Sequence, residues 1–270
     1  MRSPAENAQL AMMLEVCAEV KPGNVDRHHD YEDTSLQHFL ASTIFVRPVF
    51  KRAENSSDNI GRLIYDAVSV TNTHSGGNTH FGAFILLIPL IAGGGIKGAK
   101  EIVKNTTVDD AVMFYRAFGL TKVRMKDSDL EMDVNDPSAT DSLIENNTTL
   151  YDVMEYSSTV DMVAAEWING FSLTRKTADF LKNSDNGQKA IIDAFMNLLA
   201  SETDTFVVKK LGSKTAEKLK NKAKEALDGN ISLEELDRIC LLKGINPGSL
   251  ADITIAGIFV ALMEGWNWDF

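Results

Sequence analysis

The sequence is poor in the features that define several classes of protein. Its 270 residues include only two cysteines and six prolines, and the formal net charge is -11. Two distant cysteines, Cys17 and Cys240, exclude a disulfide framework and a thiolate metal site. The acidic balance argues against a nucleic-acid-binding protein that depends on bulk positive charge. Nucleotide ligands remain compatible with it, because local charges or metal ions can hold them.

Long apolar runs are scarce too. The almost wholly apolar run at 81–92 is shorter than the roughly 20 residues of a membrane span and contains Pro89. We therefore predict a buried helix there, and no membrane partner. The first residues show no signal peptide, because Ser3-Pro-Ala-Glu6 is a helix-capping box, so a cytoplasmic protein is expected.

Helical spacing dominates the remaining pattern, and alternating strand patterns are almost absent. Similar capping pairs, Thr107 with Asp110 and Ser232 with Glu235, open later helices. A long helix is predicted from about Thr159 to Leu181. The first helix shows four apolar side chains on one face: Leu10, Met13, Leu14 and Cys17. We predict an all-α fold.

The domain organisation follows from the lack of long linkers. We predict one multi-helix domain over residues 1–270. The polar, aperiodic stretch at 121–137 is predicted to be a long ordered loop or a short hairpin. The apolar tail at 265–270 is either a subunit contact or a plug of the core, which leaves a homodimer open.

Four polar segments interrupt the helices, at 21–33, 73–82, 202–210 and 246–252, and all but the third contain glycine. The first is too charged to be buried without partners. In the second, Gly76 and Gly77 permit positive φ, and Asn78 or Thr79 can cap a helix whose free N–H groups favour an anion. An ordinary helix cap is the alternative interpretation of this segment.

The third and fourth segments each carry an aspartate beside apolar sequence. Asp204 is either a carboxylate near the core or the N-cap of a helix. Asp252 follows Gly248 and Ser249 and lies one turn inside an apolar helix, where it needs a cation or hydrogen-bond partners.

We expect the four segments to meet at one cleft, because each places a polar tip beside an apolar helix and three of them also contain a glycine turn. Their carboxylates would form an oxygen-rich Mg²⁺ site, and three cations would bind phosphate. The carboxylates are Asp26, Asp30, Asp33, Asp204 and Asp252, and the cations are Lys21, Arg27 and Lys210.

At these residues the chain resembles the triphosphoribosyl-dephospho-coenzyme A synthase family. The family signatures KPGLVDR, GGxNTHKG, DTNVLHRGG and SPGGSAD have counterparts, in the same order, at 21–27, 76–82, 204–212 and 246–252. Phe81, Phe206 and Leu211 replace a lysine, an asparagine and a glycine of those signatures, and Lys209 and Lys210 replace a histidine and an arginine. The chain looks like a divergent, archaeal-type member.

The resemblance implies an ATP-dependent transferase. Such an enzyme moves the 5-triphosphoribosyl group of ATP to the ribose 2′-hydroxyl of 3′-dephospho-coenzyme A, or a related acceptor, and releases adenine with the help of Mg²⁺. It implies metal or base roles for Asp26, Asp204 and Asp252, with Asp30 and Asp33 as further metal ligands. The nucleotide-binding set that it implies is Lys21, Arg27, Gly77, Asn78, Thr79, His80, Lys210, Gly248 and Ser249.

Two other functions use the same residues differently. A Mg²⁺-dependent hydrolase of N-glycosidic bonds would let water replace the acceptor hydroxyl. A non-catalytic helical binding protein would use the acidic surface for partners and leave the aspartates without metal.

Overall fold

The computed structural model describes residues 2–56, 59–77, 79–121, 139–184 and 187–269. Within these ranges all regular secondary structure is α-helical, which confirms the predicted fold class. The helices before residue 122 are α1 (Pro4–Val16), α2 (Leu36–Phe45), α3 (Arg47–Ala53), α4 (Ile60–Thr71), α5 (Phe81–Ala92), α6 (Ile96–Lys104) and α7 (Val108–Leu120).

The helices after residue 138 complete the architecture. They are α8 (Ala139–Glu145), α9 (Leu150–Ser157), α10 (Met162–Ile168), α11 (Ser172–Lys182), α12 (Gly187–Ser201), α13 (Thr205–Leu211), α14 (Ser213–Leu227), α15 (Leu233–Leu242) and α16 (Gly248–Met263). The loop or hairpin predicted at 121–137 lies, apart from Thr121, outside the described residues.

Helix α16 is the centre of the packing. Nearly all of its residues are buried, and α1, α5, α11 and α12 pack against it. The buried apolar side chains form one continuous cluster. The assignment of residues 1–270 to one domain stays a prediction.

Helix α1 packs by a different face from the one that its larger apolar residues predict. Those residues, Leu10, Met13, Leu14 and Cys17, are only partly buried. The fully buried apolar side chains are mostly small: Ala5, Ala8, Ala11 and Met12. Because alanine permits close approach of two helices, α1 turns this face to α16. Glu15 lies on the same face and is carried into the interior.

The single helix predicted from Thr159 to Leu181 is wrong, because the structure has two helices there. The chain turns at Gly170 (φ +67°) and Phe171 (φ +60°), both in the left-handed region. The fully buried Phe171 ring anchors the break. Glu166 then caps α11, since its carboxylate accepts hydrogen bonds from the backbone N–H groups of Leu173 (2.9 Å) and Thr174 (2.7 Å).

Helix α5 is buried, as its sequence predicts, and begins directly after the second polar segment. In the described ranges no single helix has both the length and the apolar composition of a membrane span. Helices α5 and α6 reach that length only as a pair bent by 104°.

The C-terminal tail packs on its own chain. Trp266 is buried, and the carbonyl oxygen of Trp268 lies 1.9 Å from the position that a Cβ on Gly187 would take. Of the two roles predicted for the tail, this packing of Trp266 and Trp268 corresponds to a plug of the core. A homodimer stays a prediction.

Candidate active site

The N-terminus of α16 is the meeting point of the four polar segments. The first segment reaches it at Gly23, whose φ is +78°. A Cβ at this position would lie 2.3 Å from the carbonyl oxygen of Ile245, so only glycine fits. The N–H of Gly23 also donates to Asp237 Oδ1 at 2.8 Å. These contacts hold residues 21–33 against residues 245–247.

The second segment reaches α16 through Gly82 and Asp252. A Cβ on Gly82 would lie 2.1 Å from Asp252 Oδ2. The Asp252 carboxylate accepts a hydrogen bond from the Ala83 N–H, in the first turn of α5. The anion position predicted at this helix N-terminus is therefore used by an aspartate of the protein itself.

The third segment is tied to α16 by Asp204. Its Oδ1 accepts from the Val207 N–H and its Oδ2 from the Leu250 N–H, each at 2.9 Å. The first contact caps α13 and the second fixes the start of α16. Asp204 is thus both the helix cap and the core carboxylate that its sequence allows. Burial raises its pKa to about 6, although the backbone hydrogen bonds oppose this effect.

The acidic residues of the first segment bind backbone of their own loop. Asp26 is buried, with Oδ2 accepting from the Lys21 N–H (2.9 Å) and Oδ1 from the His28 N–H (2.7 Å). Asp30 is exposed and accepts from the Leu36 N–H at 2.6 Å, at the start of α2. The exposed Asp33 accepts from the hydroxyl of Thr34.

These contacts bear on the predicted magnesium site. In the part of the chain that the structure describes, no group of three or more histidine, cysteine, aspartate or glutamate side chains is arranged to hold a metal ion. The predicted ligands Asp26, Asp30, Asp33 and Asp204 are therefore not gathered into one preformed site. The physical reason is that three of the four carboxylates are oriented by backbone N–H groups of nearby turns.

Lys21 and Glu15 form a buried ion pair next to this site. Lys21 is 1% exposed, and its Nζ lies 2.6 Å from Glu15 Oε1. Burial raises the pKa of the Glu15 carboxyl, whereas the Lys21 charge lowers it. Glu15 was missed in the sequence, although it lies at helical spacing from Ala8 and Ala11 on the buried face of α1.

Asp161 and Lys209 form a second missed pair. Asp161 caps α10 by accepting from the Val163 N–H at 2.8 Å, and its other oxygen pairs with the Lys209 ammonium at 2.5 Å. Lys209 stands where the family signature has histidine. The position of Asp161 at the start of a helix could be recognised in the sequence. Its contact with Lys209 depends on the tertiary structure.

Asp252 lies among these carboxylates. Burial raises its pKa well above the usual range, and the charges of Glu15, Asp204 and Asp161 raise it further. Lys21 offsets Glu15 and Lys209 offsets Asp161. The surroundings therefore disfavour the ionised form of Asp252, whose side chain is only partly buried.

His80 is the buried imidazole of the site. It is 1% exposed, and its Nδ1 lies 3.1 Å from Thr79 Oγ1. Its Nε2 is buried and has no hydrogen-bond partner among the described residues. Burial lowers the pKa of His80 to about 3, with smaller contributions from the charges of Lys21 and His74. The ring is therefore neutral.

The other predicted phosphate-binding cations lie on the surface. Arg27 is exposed and donates through Nε and a terminal nitrogen to the carbonyl oxygen of Cys17. Lys210 is exposed on α13, with its ammonium 4.9 Å from the centre of the Phe206 ring. Neither side chain enters the group around Asp252.

The remaining predicted nucleotide-binding residues lie in the turns before α5 and α16. Gly77 has φ +62° and open space where a Cβ would be, whereas Asn78 lies outside the described residues. Ser249 is buried, with its hydroxyl 3.4 Å from that of Thr205. A Cβ on Gly248 would meet the Phe206 ring at 3.5 Å.

The departures from the family signatures have different surroundings. Phe81 is buried in an aromatic cluster on α7, with ring centres 5.8 Å from Phe114 and 4.6 Å from Phe118. Phe206 lies beneath Lys210 and beside Gly248. Leu211 is 40% exposed at the end of α13. The lysine position of the signature is thus converted into core packing.

Comparison with known proteins agrees with the resemblance of the four segments. A solved structure of a candidate triphosphoribosyl-dephospho-CoA synthase from Archaeoglobus fulgidus has a TM-score of 0.72 and 28% sequence identity, over 84% of this chain and 100% of that one. A search of curated proteins found no match. The family model described as CitG, ATP:dephospho-CoA triphosphoribosyl transferase, matches residues 1–270. This chain therefore belongs to the CitG family of ATP:dephospho-CoA triphosphoribosyl transferases.

Proposed function

We propose that the protein transfers the 5-triphosphoribosyl group of ATP to the ribose 2′-hydroxyl of 3′-dephospho-coenzyme A, or a closely related acceptor, and releases adenine. Its partners in this proposal are small nucleotide substrates, with no nucleic acid and no membrane. The family match supports ATP and dephospho-coenzyme A as the substrate class.

The observation that carries the proposal is the seating of Asp252 against Gly82. Two signatures that are 170 residues apart in sequence order (82 and 252) meet there at a distance that only glycine permits. Asp204 and Gly23 bring the third and first signatures to the same helix end. A cluster of this kind, built from four separate segments, is typical of a catalytic site.

Asp252 is the residue we assign to the reaction itself. A displacement at the ribose C1 of ATP needs a base for the incoming hydroxyl and negative charge near an oxocarbenium-like centre. The partly buried Asp252 carboxylate, with its raised pKa, suits either role. Asp204 fixes the helix end that carries Asp252, and it acts as a positioning residue.

Asp252 is the carboxylate of this group that would meet a magnesium ion arriving with the triphosphate, because Glu15 and Asp161 are paired with lysines and both oxygens of Asp204 accept backbone N–H groups. Carboxylate oxygen is a donor that Mg²⁺ prefers. Because the described residues supply no preformed cage, phosphate oxygens and water would complete the coordination. Bound there beside Asp252, Mg²⁺ would supply charge neutralisation at the triphosphate.

The three cations predicted to bind phosphate differ in how deeply they are buried. Lys21 is paired with Glu15 in the interior, so its charge acts on the reacting groups electrostatically and not by direct contact with the substrate. Arg27 and Lys210 are exposed at the ends of the first and third segments, where a triphosphate could reach them. We assign phosphate binding to these two side chains.

The test is mass spectrometry of the purified protein with ATP, Mg²⁺ and 3′-dephospho-coenzyme A, and in parallel without the acceptor. Adenine together with a triphosphoribosyl adduct, only when acceptor is present, is the expected result. Adenine in both reactions would replace the proposal by an N-glycosidic hydrolase. No product in either, and no heat of binding with Mg²⁺-ATP, would favour a non-catalytic binding protein. The Asp252→Asn variant serves as the control for contaminating activity.

A further inference from the structure

A chain of hydrogen bonds runs from His80 to a second histidine. His80 Nδ1 lies 3.1 Å from Thr79 Oγ1, which lies 2.6 Å from Ser42 Oγ, which in turn lies 2.8 Å from His74 Nε2. Ser42 is fully buried on α2, so the middle of the chain is shielded from solvent. His74 lies between the exposed residues Thr73 and Ser75, and its ring stacks on His38 with centres 4.9 Å apart.

Among the described residues, the two outer atoms of this chain have no hydrogen-bond partner. His80 Nε2 and His74 Nδ1 are buried, and neither has a hydrogen bond to any described residue. Buried polar atoms are normally paired, since an unpaired one costs about 1–3 kcal/mol. The two unpaired atoms lie at the two ends of one continuous chain of hydrogen bonds, which indicates that they have a shared function.

We propose that His80, Thr79, Ser42 and His74 form a proton relay, in which His80 Nε2 takes up a proton at the active site and His74 Nδ1 releases one toward the surface. The inference rests on the proposed function, in which the attacking 2′-hydroxyl must lose a proton. It adds three positioning residues that act through His80.

The proton balance of the relay is complete. A proton binds His80 Nε2, and the Nδ1 proton passes to Thr79 Oγ1. The Thr79 hydroxyl proton passes to Ser42 Oγ, and the Ser42 proton passes to His74 Nε2. His74 Nδ1 is itself buried, so it passes its proton to a water molecule that enters at the exposed turn of Thr73 and Ser75. Each of the four residues gains one proton and gives up one, so no charge remains in the interior.

A relay of this type suits the burial of His80. Burial lowers its pKa to about 3, so a stable imidazolium at this position is costly near neutral pH. A simple base would need to hold that charge. A relay avoids it, because the two imidazoles exchange tautomers and remain neutral at the end of the transfer.

The first test needs no substrate and uses the ¹⁵N-histidine-labelled protein. If the relay exists, His80 and His74 carry the same tautomer, both Nδ1–H or both Nε2–H. Ser42→Ala should remove this coupling, so that the two tautomers change independently. Opposite tautomers on the two rings of the unsubstituted protein would overturn the relay, and so would an imidazolium signal from His80 at neutral pH.

The second test measures turnover of ATP. Thr79→Val and Ser42→Ala should each lower kcat by at least about tenfold with KM for ATP changed by less than about twofold. Thr79→Ser, which restores the hydroxyl, should recover most of the lost rate. The matched control is Thr43→Val, which removes a neighbouring buried hydroxyl on the same helix that bonds only to the Phe39 carbonyl oxygen.

The outcomes separate the relay from the proposed function. Coupled tautomers in a protein that does not turn over ATP would support the relay and reject the transferase. A transferase whose Thr79→Val and Thr43→Val variants have equal kcat would keep the function and reject the relay. Equal melting temperatures of these variants guard against general unfolding.

Discussion

Gly82 and Asp252 contact each other so closely that a methyl group on Gly82 would overlap Asp252 Oδ2, at 2.1 Å. We therefore expect Gly82→Ala to displace the carboxylate and to lower kcat at least about tenfold. The control is Gly119→Ala on α7, where a Cβ meets nothing within 4 Å and alanine should leave activity unchanged. Full activity in Gly82→Ala would show that the seat of Asp252 is not required for turnover.

Removing the charge of Asp252 should affect chemistry and not folding. In Asp252→Asn the amide oxygen can still accept the Ala83 N–H, and a carboxyl whose charged form is disfavoured by its surroundings is removed. We expect kcat to fall by about 10² or more while the melting temperature stays the same or rises. Steady-state kinetics and thermal unfolding measure the two effects. An unfolded variant would assign Asp252 a structural role.

Asp204→Asn should behave differently, although the substitution is the same. Asn has one carbonyl oxygen and cannot accept from both the Val207 and the Leu250 N–H groups. The loss should lower the free energy of unfolding by about 1–3 kcal/mol, measured by denaturant titration. The exposed Asp228→Asn is the matched control and should change stability by less than about 0.5 kcal/mol. A stable but inactive Asp204→Asn would return this residue to direct catalysis.

The buried pair of Glu15 and Lys21 predicts a non-additive result. Lys21→Met leaves an unpaired carboxyl in the interior and should cost about 3–5 kcal/mol. The double variant Glu15→Leu/Lys21→Met removes both charges and should regain most of that stability. Denaturant unfolding of the two single variants and the double variant completes the cycle. Additive effects would mean that the two groups do not interact.

The low pKa of His80 predicts that this residue makes the protein less stable in acid. The unfolded chain binds a proton at this histidine below about pH 6.5, whereas the folded protein does not until about pH 3. Stability from His80 is therefore complete above pH 6.5 and falls by about 1.4 kcal/mol per pH unit below it. Carboxyls with raised pKa, such as Asp204, act in the opposite direction.

The difference in the free energy of unfolding between the protein and its His80→Gln variant removes the contribution of those carboxyls, because they are present in both proteins. Between pH 7 and pH 5 the stability advantage of the histidine should shrink by about 2 kcal/mol, measured by denaturant unfolding at each pH. A constant difference would show that the pKa of His80 is the same in the folded and unfolded protein, and an advantage that grows toward pH 5 would show that His80 is charged in the folded protein.

Local sequence signals predicted much of the fold. Capping pairs such as Ser3 with Glu6 and Thr107 with Asp110 form the expected caps. They succeed because a cap involves atoms only three residues apart. The buried α5 followed in the same way from its composition. The four polar segments were found because a polar stretch between apolar helices is visible in one sequence, and three of them also contain a glycine turn.

The errors of prediction have one cause. The buried face of α1, the break at Gly170, and the burial of Glu15 depend on which surfaces the other helices present. Larger apolar residues on α1 suggested one face, but close packing on α16 selected the alanine face. Periodicity states that a helix has two faces, and packing decides which of them is buried.

The same distinction between local sequence and tertiary packing applies to the candidate site. The sequence by itself determined that the chain is all-α and that polar and charged residues are concentrated in four segments between apolar helices. Only the tertiary structure decided that Asp26 and Asp204 are held by backbone N–H groups, that Asp252 enters the first turn of α5, and that two histidines are joined through Ser42. A residue's type is local information, but its burial and its contacts with other segments, such as that of Asp204 with the Leu250 N–H, depend on the packing of the whole chain and set its charge and its role.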